Sequence, residues 1–133
     1  MPPNELRVVL TVENHEQAVS FYRDAVGLTQ LADWSSESGK VVLLGGVSAT
    51  LELVEERQAA LIDRTEVGRR VAGPVRLALS TDDSDGLAER LGAAGAELLG
   101  DPVDTPWGDR NARLRTPDGM QLTLFTSLEA RAR

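Results

Sequence analysis

The chain has 133 residues, 41% hydrophobic and 26% charged, with a net charge of −7 and a pI near 4.7. That length is one domain with room for a real core. The acidic balance argues against unspecific attraction to nucleic acid or anionic membrane. The absence of cysteine removes disulfides, thiolate metal sites and cysteine nucleophiles together.

The N-terminal MPPNELRVVL has no basic region followed by a signal-type apolar segment, and no apolar run approaches a bilayer span. A cytoplasmic protein is the expectation. Thirteen of the fourteen basic residues are Arg, which the base composition of the source genome explains most simply, and His15 is the single histidine.

Leu6 to Val12 alternates as a strand, with Val8, Leu10 and Val12 on one face and Arg7, Val9 and Thr11 on the other. Asn14 is placed to cap a helix through EQAVSFYRDAVG, with Gln17 three residues on and Gly27 at its end. Strands follow at 28–34, 40–44 and 49–55, separated by the polar turn 35–39 and by Gly45-Gly46. In the last of these Thr50, Glu52 and Val54 oppose Leu51 and Leu53. Residues 56–73 are charged and only loosely periodic, and read as a linker with a short helix.

Pro74 opens a second series. Val75, Leu77 and Leu79 oppose Arg76, Ala78 and Ser80 in a strand; Asp82 or Asp83 caps a helix through GLAERLGAAG; and 96–99 begins another strand. The acidic run at 82–85 has cap chemistry and lacks the spacing of a calcium loop. The stretch 106–125 then reads as a hairpin with its turn at Pro117-Asp118-Gly119. Its returning strand sets Leu122 and Leu124 against Gln121, Thr123 and Phe125. On its opening strand Arg110, Arg113 and Arg115 are read as one face and Asn111 as the other.

The two series match: strand, helix, then three strands. Arg7 corresponds to Arg76, Leu10 to Leu79, Thr11 to Ser80 and Gly27 to Gly95. An α+β architecture of two βαβββ modules follows, module one at 5–56, a linker at 57–74 and module two at 75–127, all in one domain spanning 1–133. Helices take the apolar faces, and the mixed faces curve into a cup.

The segments RVVLTVENHEQAVSFYRDAVGL, LELVE, RLALSTDDSDGLAERLGAAGAELL and PWGDRNARLRTPDGMQLTLF resemble the vicinal oxygen chelate superfamily, also called the glyoxalase/bleomycin-resistance fold. The resemblance implies paired βαβββ modules forming a cup-shaped barrel, a dimer, and a ligand cavity in each cup. The superfamily's enzymes hold a divalent metal with four side chains, one from the first and one from the fourth strand of each module. Carried over, those positions are Arg7, Glu52, Arg76 and Thr123. Arginine has no lone pair to offer, and two guanidinium groups repel a cation, so no metal and no other cofactor is expected. His15 stands at a helix start, away from these positions.

Ten residues are the candidate ligand site: Arg7, Thr11, Trp34, Glu52, Arg76, Ser80, Trp107, Arg113, Thr123 and Phe125. Arg7 and Arg76 read equally as ion-pair partners of Glu52 or as forks for an acidic or carbonyl-rich ligand. Trp34 and Trp107 lie one per module, at a strand end and in a loop. They suit a clamp on a planar group, or a plug at the cavity mouth or a dimer interface, and Gly108 leaves space beside Trp107. Phe125 is read as lining the floor, and Thr11 and Ser80 as leaving volume for a guest. Arg110 and Arg115 read as a solvated edge or as partners of the excess acid.

The expectation is a metal-independent homodimer without catalytic residues that sequesters an aromatic natural-product antibiotic of the bleomycin, mitomycin or enediyne type for drug resistance. The alternative is a glyoxalase-like lyase or isomerase using Glu52 as general base. Ligand identity, dimer arrangement and residual catalysis stay open.

Overall fold

The computed structural model describes residues 3–25, 28–46, 49–117 and 119–131. Among them, nine strands form one continuous sheet. In chain order these are β1 (Glu5–Val12), β2 (Thr29–Asp33), β3 (Val41–Gly45), β4 (Thr50–Glu55), β5 (Val75–Ser80), β6 (Glu97–Leu98), β7 (Val103–Asp104), β8 (Asp109–Arg115) and β9 (Gln121–Ser127). Four α-helices accompany them: α1 (His15–Val19), α2 (Glu56–Glu66), α3 (Ser84–Ala93) and α4 (Leu128–Arg131). No helix among the described residues is long and apolar enough to cross a membrane.

The strand order β2-β3-β4-β1-β5-β9-β8-β6, with β7 also on β8, makes the duplication visible. Within each half the first and last long strands run parallel, β1 with β4 and β5 with β9. The halves join through the antiparallel β1–β5 pair, Val8 opposite Leu77 and Arg7 opposite Ala78. The two modules therefore pair within one chain.

Local sequence explains the helix starts. Asn14 accepts a bond from the Gln17 amide at 3.0 Å, and Asp83, of the two candidate caps, accepts one from Gly86 at 3.0 Å. After Val19 the first helix loosens into a π-helical stretch, Ser20–Ala25. The residues read as its end, Val26 and Gly27, and Asp118 of the hairpin turn lie outside the described residues.

The apolar faces of both halves take helices. Val19 packs on Val42, Leu44 and Leu53, while Leu87 and Ala88 pack on Leu114, Leu122 and Leu124. Burial at about 25 cal/mol per Å² of apolar surface makes these two layers the main source of stability. His15 belongs to the first of them: its Nε2–H donates to the Leu53 carbonyl at 2.9 Å, pinning α1 to β4.

The inner faces meet differently. Val9, Val41, Val54 and Ala78 cluster with Ala59 of α2, and Phe125 packs against them. The segment read as a linker with a short helix thus carries an eleven-residue helix that reaches into the cup. Ala59, Ile62, Asp63 and Glu66 are its buried stripe. They stand at i, i+3, i+4 and i+7, a helical face whose last two members are acidic.

Candidate ligand site

A cavity of about 610 Å³ opens on the inner face. Ligand sites commonly fall between about 300 and 1,000 Å³. Seven of the ten candidate residues line it: Arg7, Trp34, Glu52, Arg76, Trp107, Thr123 and Phe125. The five on strands, Arg7, Glu52, Arg76, Thr123 and Phe125, stand where alternation puts them. Arg7 and Ala78 are cross-strand neighbours, and so are Ala78 and Thr123.

Three candidates stand elsewhere. Thr11 and Ser80 are half-buried on the same strand faces but do not reach the cavity wall. Arg113 is fully enclosed beneath α2. The facing of β8 also differs from the sequence reading, because a strand's period is two. Asn111 shares its face with Arg113, and both are buried inside, paired with Phe125 and Thr123 of β9. Arg110 points to the other side, to Asp85 and Asp104 at 3.2 Å each. The solvated reading fits Arg110 and Arg115, since Arg115 pairs with exposed Glu97.

Arg7 is enclosed by partners. Its Nε and Nη2 form a fork with Glu5 at 2.9 and 3.0 Å, and Nη1 donates to Glu52 at 3.1 Å. Its guanidinium lies 5.4 Å from the Trp34 ring centre and 4.8 Å from that of Phe125. Both are cation–π distances. Burial pulls its pKa down, but Glu5 and Glu52 overcome that and hold it above the ordinary value. Glu5 in turn accepts from Thr50 at 2.6 Å. Burial pushes the Glu5 carboxyl up, and the bonds from Arg7 and Thr50 more than reverse it.

The opposite wall is built on Thr123. Its hydroxyl donates to Glu66 Oε1 at 2.9 Å and accepts from Arg76 Nη1 at 2.9 Å and Arg113 Nε at 3.0 Å. Arg113 also bonds Glu66 at 3.1 Å, Asp63 at 2.9 Å and Gln121 at 3.1 Å. Asp63 sits buried, its Oδ2 taking amides from Val71 and Ala72 at 2.7 and 2.8 Å and Arg70 Nη1 at 2.9 Å. Burial raises the Asp63 pKa, but those amides and the arginines pull it below the ordinary aspartate value. Asn111 Nδ2 completes the cluster, donating to Glu66 Oε2 at 2.9 Å.

Sequence reasoning missed the α2 contribution, Gln58, Leu61, Ile62 and Glu66, and the β8 contribution, Asp109 and Asn111, all on the cavity wall. Asp109 has its carboxyl pushed up by burial, against the pull of Arg7. The correct period on β8 points to 109 and 111, and the acidic helical stripe points to Glu66. The mouth carries the two tryptophans. Trp34 follows β2 and is 49% exposed; Trp107 sits in the turn before β8 and is 42% exposed, unusual for the largest apolar side chains of the molecule. Gly108, at φ +92°, closes the turn onto Thr105 in a conformation that favours glycine and presents Trp107 outward.

The family model for the Glyoxalase/Bleomycin resistance protein/Dioxygenase superfamily matches residues 6–124. The chain belongs to that superfamily. No functionally curated protein matches it in sequence. Among solved structures it is similar to a Vibrio splendidus 12B01 member of the superfamily, at 14% identity over 92% of this chain and 98% of that one, with a TM-score of 0.62. It is also similar to Streptomyces coelicolor methylmalonyl-CoA epimerase bound to 2-nitronate-propionyl-CoA, at 23% identity over 96% of each chain and a TM-score of 0.66. A hypothetical protein from Bacillus halodurans C-125 shares 16% identity over 91% of each chain at a TM-score of 0.67. At these identities the likeness is one of fold.

For this superfamily member the four positions where the resemblance places metal ligands, 7, 52, 76 and 123, do converge on the cavity. Their chemistry does not fit a divalent cation. Two are guanidinium groups, Glu52 is the counter-ion of Arg7, and Thr123 offers a neutral hydroxyl already bonded three ways. Among the described residues no group of three or more His, Cys, Asp or Glu is placed to hold a metal. What the cavity offers instead is aromatic surface at its mouth and hydrogen-bond donors at its base.

Proposed function

We propose that this chain is a small-molecule binding protein that sequesters an aromatic natural product, of the bleomycin, mitomycin or enediyne kind, and so protects its host. It works without a metal and as a cytoplasmic homodimer with two equivalent pockets. The observation that carries this reading is the cavity itself: a volume suited to a drug-sized guest, with a half-exposed tryptophan from each half of the chain at its mouth. Half-exposed tryptophans cost little conformational entropy to engage and stack well on planar groups.

The isomerase alternative asks Glu52 to take a substrate proton. Its 3.1 Å bond to Arg7 counts against that, because the carboxylate is committed as a counter-ion. The epimerase likeness supports the fold and says nothing for the reaction, since Arg7 and Arg76 stand where metal ligands would.

Titrating the intrinsic fluorescence of Trp34 and Trp107 with bleomycin, mitomycin C and an enediyne chromophore tests the proposal. Expected is saturable quenching by at least one of them with a Kd of about 1 µM or tighter. Trp107→Ala weakens it about tenfold or more, as loss of a buried aromatic contact does. No binding tighter than about 100 µM across the panel overturns the proposal, because sequestration then fails at cellular concentrations.

A further inference from the structure

The base of the cavity holds a cation with too few partners. Arg76 is 7% exposed, yet among the described residues its only hydrogen bond is Nη1 to the Thr123 hydroxyl at 2.9 Å, and it makes no ion pair with any of them. Among the described residues its Nε and Nη2 have no bonding partner, and Arg76 lines the cavity. Those two nitrogens form the edge of a guanidinium that matches a carboxylate with two parallel bonds. Arg7 uses that same edge on Glu5, at 2.9 and 3.0 Å.

The carboxylates around Arg76 are occupied. Glu52 serves Arg7; Glu66 serves Arg113, Asn111 and Thr123; Asp63 serves Arg113 and Arg70. Asp109 also lines the cavity, with its charge disfavoured by burial. Arg113 adds a second cation behind the wall, and its Nη2 is buried without a partner. Burial pulls the Arg76 pKa below the ordinary guanidinium value, and the nearby Arg113 pushes the same way against Glu66, Glu52 and Asp63, while the group stays a cation. A buried charge so placed calls for an opposite one.

We infer that the ligand is a planar acid: its aromatic part lies toward Trp34 and Trp107, and its carboxylate takes the free Nε/Nη2 edge of Arg76. This rests on the aromatic-guest reading of the cavity and narrows it: among planar natural products it favours those that carry a carboxylate over cationic or neutral ones. Neutral analogues leave Arg76 unpaired and bind more weakly, which makes Arg76 the specificity-determining residue.

The test uses a matched pair of probes, anthracene-2-carboxylate and anthracene-2-carboxamide, followed by energy transfer from the tryptophans. In the wild-type protein the acid is expected to bind at least about tenfold more tightly than the amide, the scale of a charge-assisted bidentate bond. Arg76→Lys keeps the charge and loses the fork, and Arg76→Met loses both. Preference for the acid falls in that order and vanishes in the second, while amide binding holds. Should neither variant fold, the wild-type protein suffices: the Arg76 Nε–H resonance, resolved by ¹⁵N NMR, shifts downfield with the acid and stays in place with the amide.

Equal binding of the two probes overturns the anionic guest and leaves the aromatic-guest reading standing. Tighter binding of the amide, or an acid preference that survives Arg76→Met, also overturns it. Failure of both probes to bind defeats the inference together with the reading beneath it.

Discussion

Arg7 and Arg76 occupy equivalent places on the first strands of the two halves, and their surroundings are opposite. Arg7 is saturated: a fork on Glu5, a third bond to Glu52, and two aromatic rings against its faces. Arg76 has one hydroxyl. The difference begins on the strands, where Glu5 and Glu52 have Pro74 and Thr123 as their counterparts. α2, which follows β4 and has only the short α4 after β9 to compare with among the described residues, does not supply Arg76 with an ion pair. That helix delivers Asp63 and Glu66 into the second half of the cup, and Arg113 takes both. A duplicated scaffold thus carries one closed ion-pair cluster near Trp34, a second around Arg113, and one cation left over between them.

The clasp on Arg113 is the place to break this asymmetry with the largest effect. Arg113 is 0% exposed, and its removal takes the cation from Glu66 and one of two from Asp63, both buried. Arg113→Met is expected to cost about 3–5 kcal/mol in urea unfolding, the scale for uncoupling one member of a buried pair. A loss under about 1 kcal/mol would mean that α2 is held by its apolar face alone. Asp63 gives the same clasp a pH dependence. Its pKa is depressed in the fold, so its contribution is present above the ordinary carboxylate range and is lost as the pH falls through the lowered value. Acid unfolding monitored by circular dichroism should therefore be steeper below about pH 4 in the wild-type protein than in Asp63→Asn, which starts less stable at neutral pH.

The two arginines themselves provide the next test. Arg7→Met leaves Glu5 and Glu52 without their cation and should cost about 1–3 kcal/mol. Arg76→Met removes a desolvated charge that has no ion pair, and is expected to be neutral or stabilising by up to about 1 kcal/mol. Chemical denaturation of the pair of variants decides it. Equal losses would mean that the two sites are energetically alike, whatever their bonds.

Much of this was legible from residue pattern. The repeat and the facing of β1, β4, β5 and β9 follow from a period of two, and the convergence of Arg7, Glu52, Arg76 and Thr123 is what the resemblance to the superfamily implies. The resemblance to the superfamily rests on the same stretches. Two things stayed hidden for one reason each. α2 buries a stripe in which Asp63 and Glu66 occupy core positions, so a reading keyed to apolar spacing finds a charged linker with only a short helix. Arg113 and Asn111 were assigned to opposite faces of β8 although they are two residues apart, so the buried polar ladder on that strand was split. Which arginine would be left unpaired was legible only in part: Pro74 and Thr123 stand where Arg7 has Glu5 and Glu52, but whether α2 supplies an acid in their stead depends on where that helix places Asp63 and Glu66.

The smallest effect bears on how complete the Arg7 cluster is. Asp109 lines the cavity within the electrostatic reach of Arg7, which lowers its pKa, but burial wins and the carboxyl is pushed up. A raised carboxylate pKa means that ionised Asp109 costs stability, a cost absent at low pH and fully present once the pH has risen through the folded value. Asp109→Asn should then be more stable than the wild-type protein at pH 8, by about 0.5 kcal/mol, and indistinguishable from it at pH 4. Differential scanning fluorimetry at the two pH values reads this directly. If the variant is instead destabilised at pH 8, the Asp109 charge is one that Arg7 needs. Arg7 would then serve three carboxylates, and the contrast with Arg76 would be wider than the bonds alone describe.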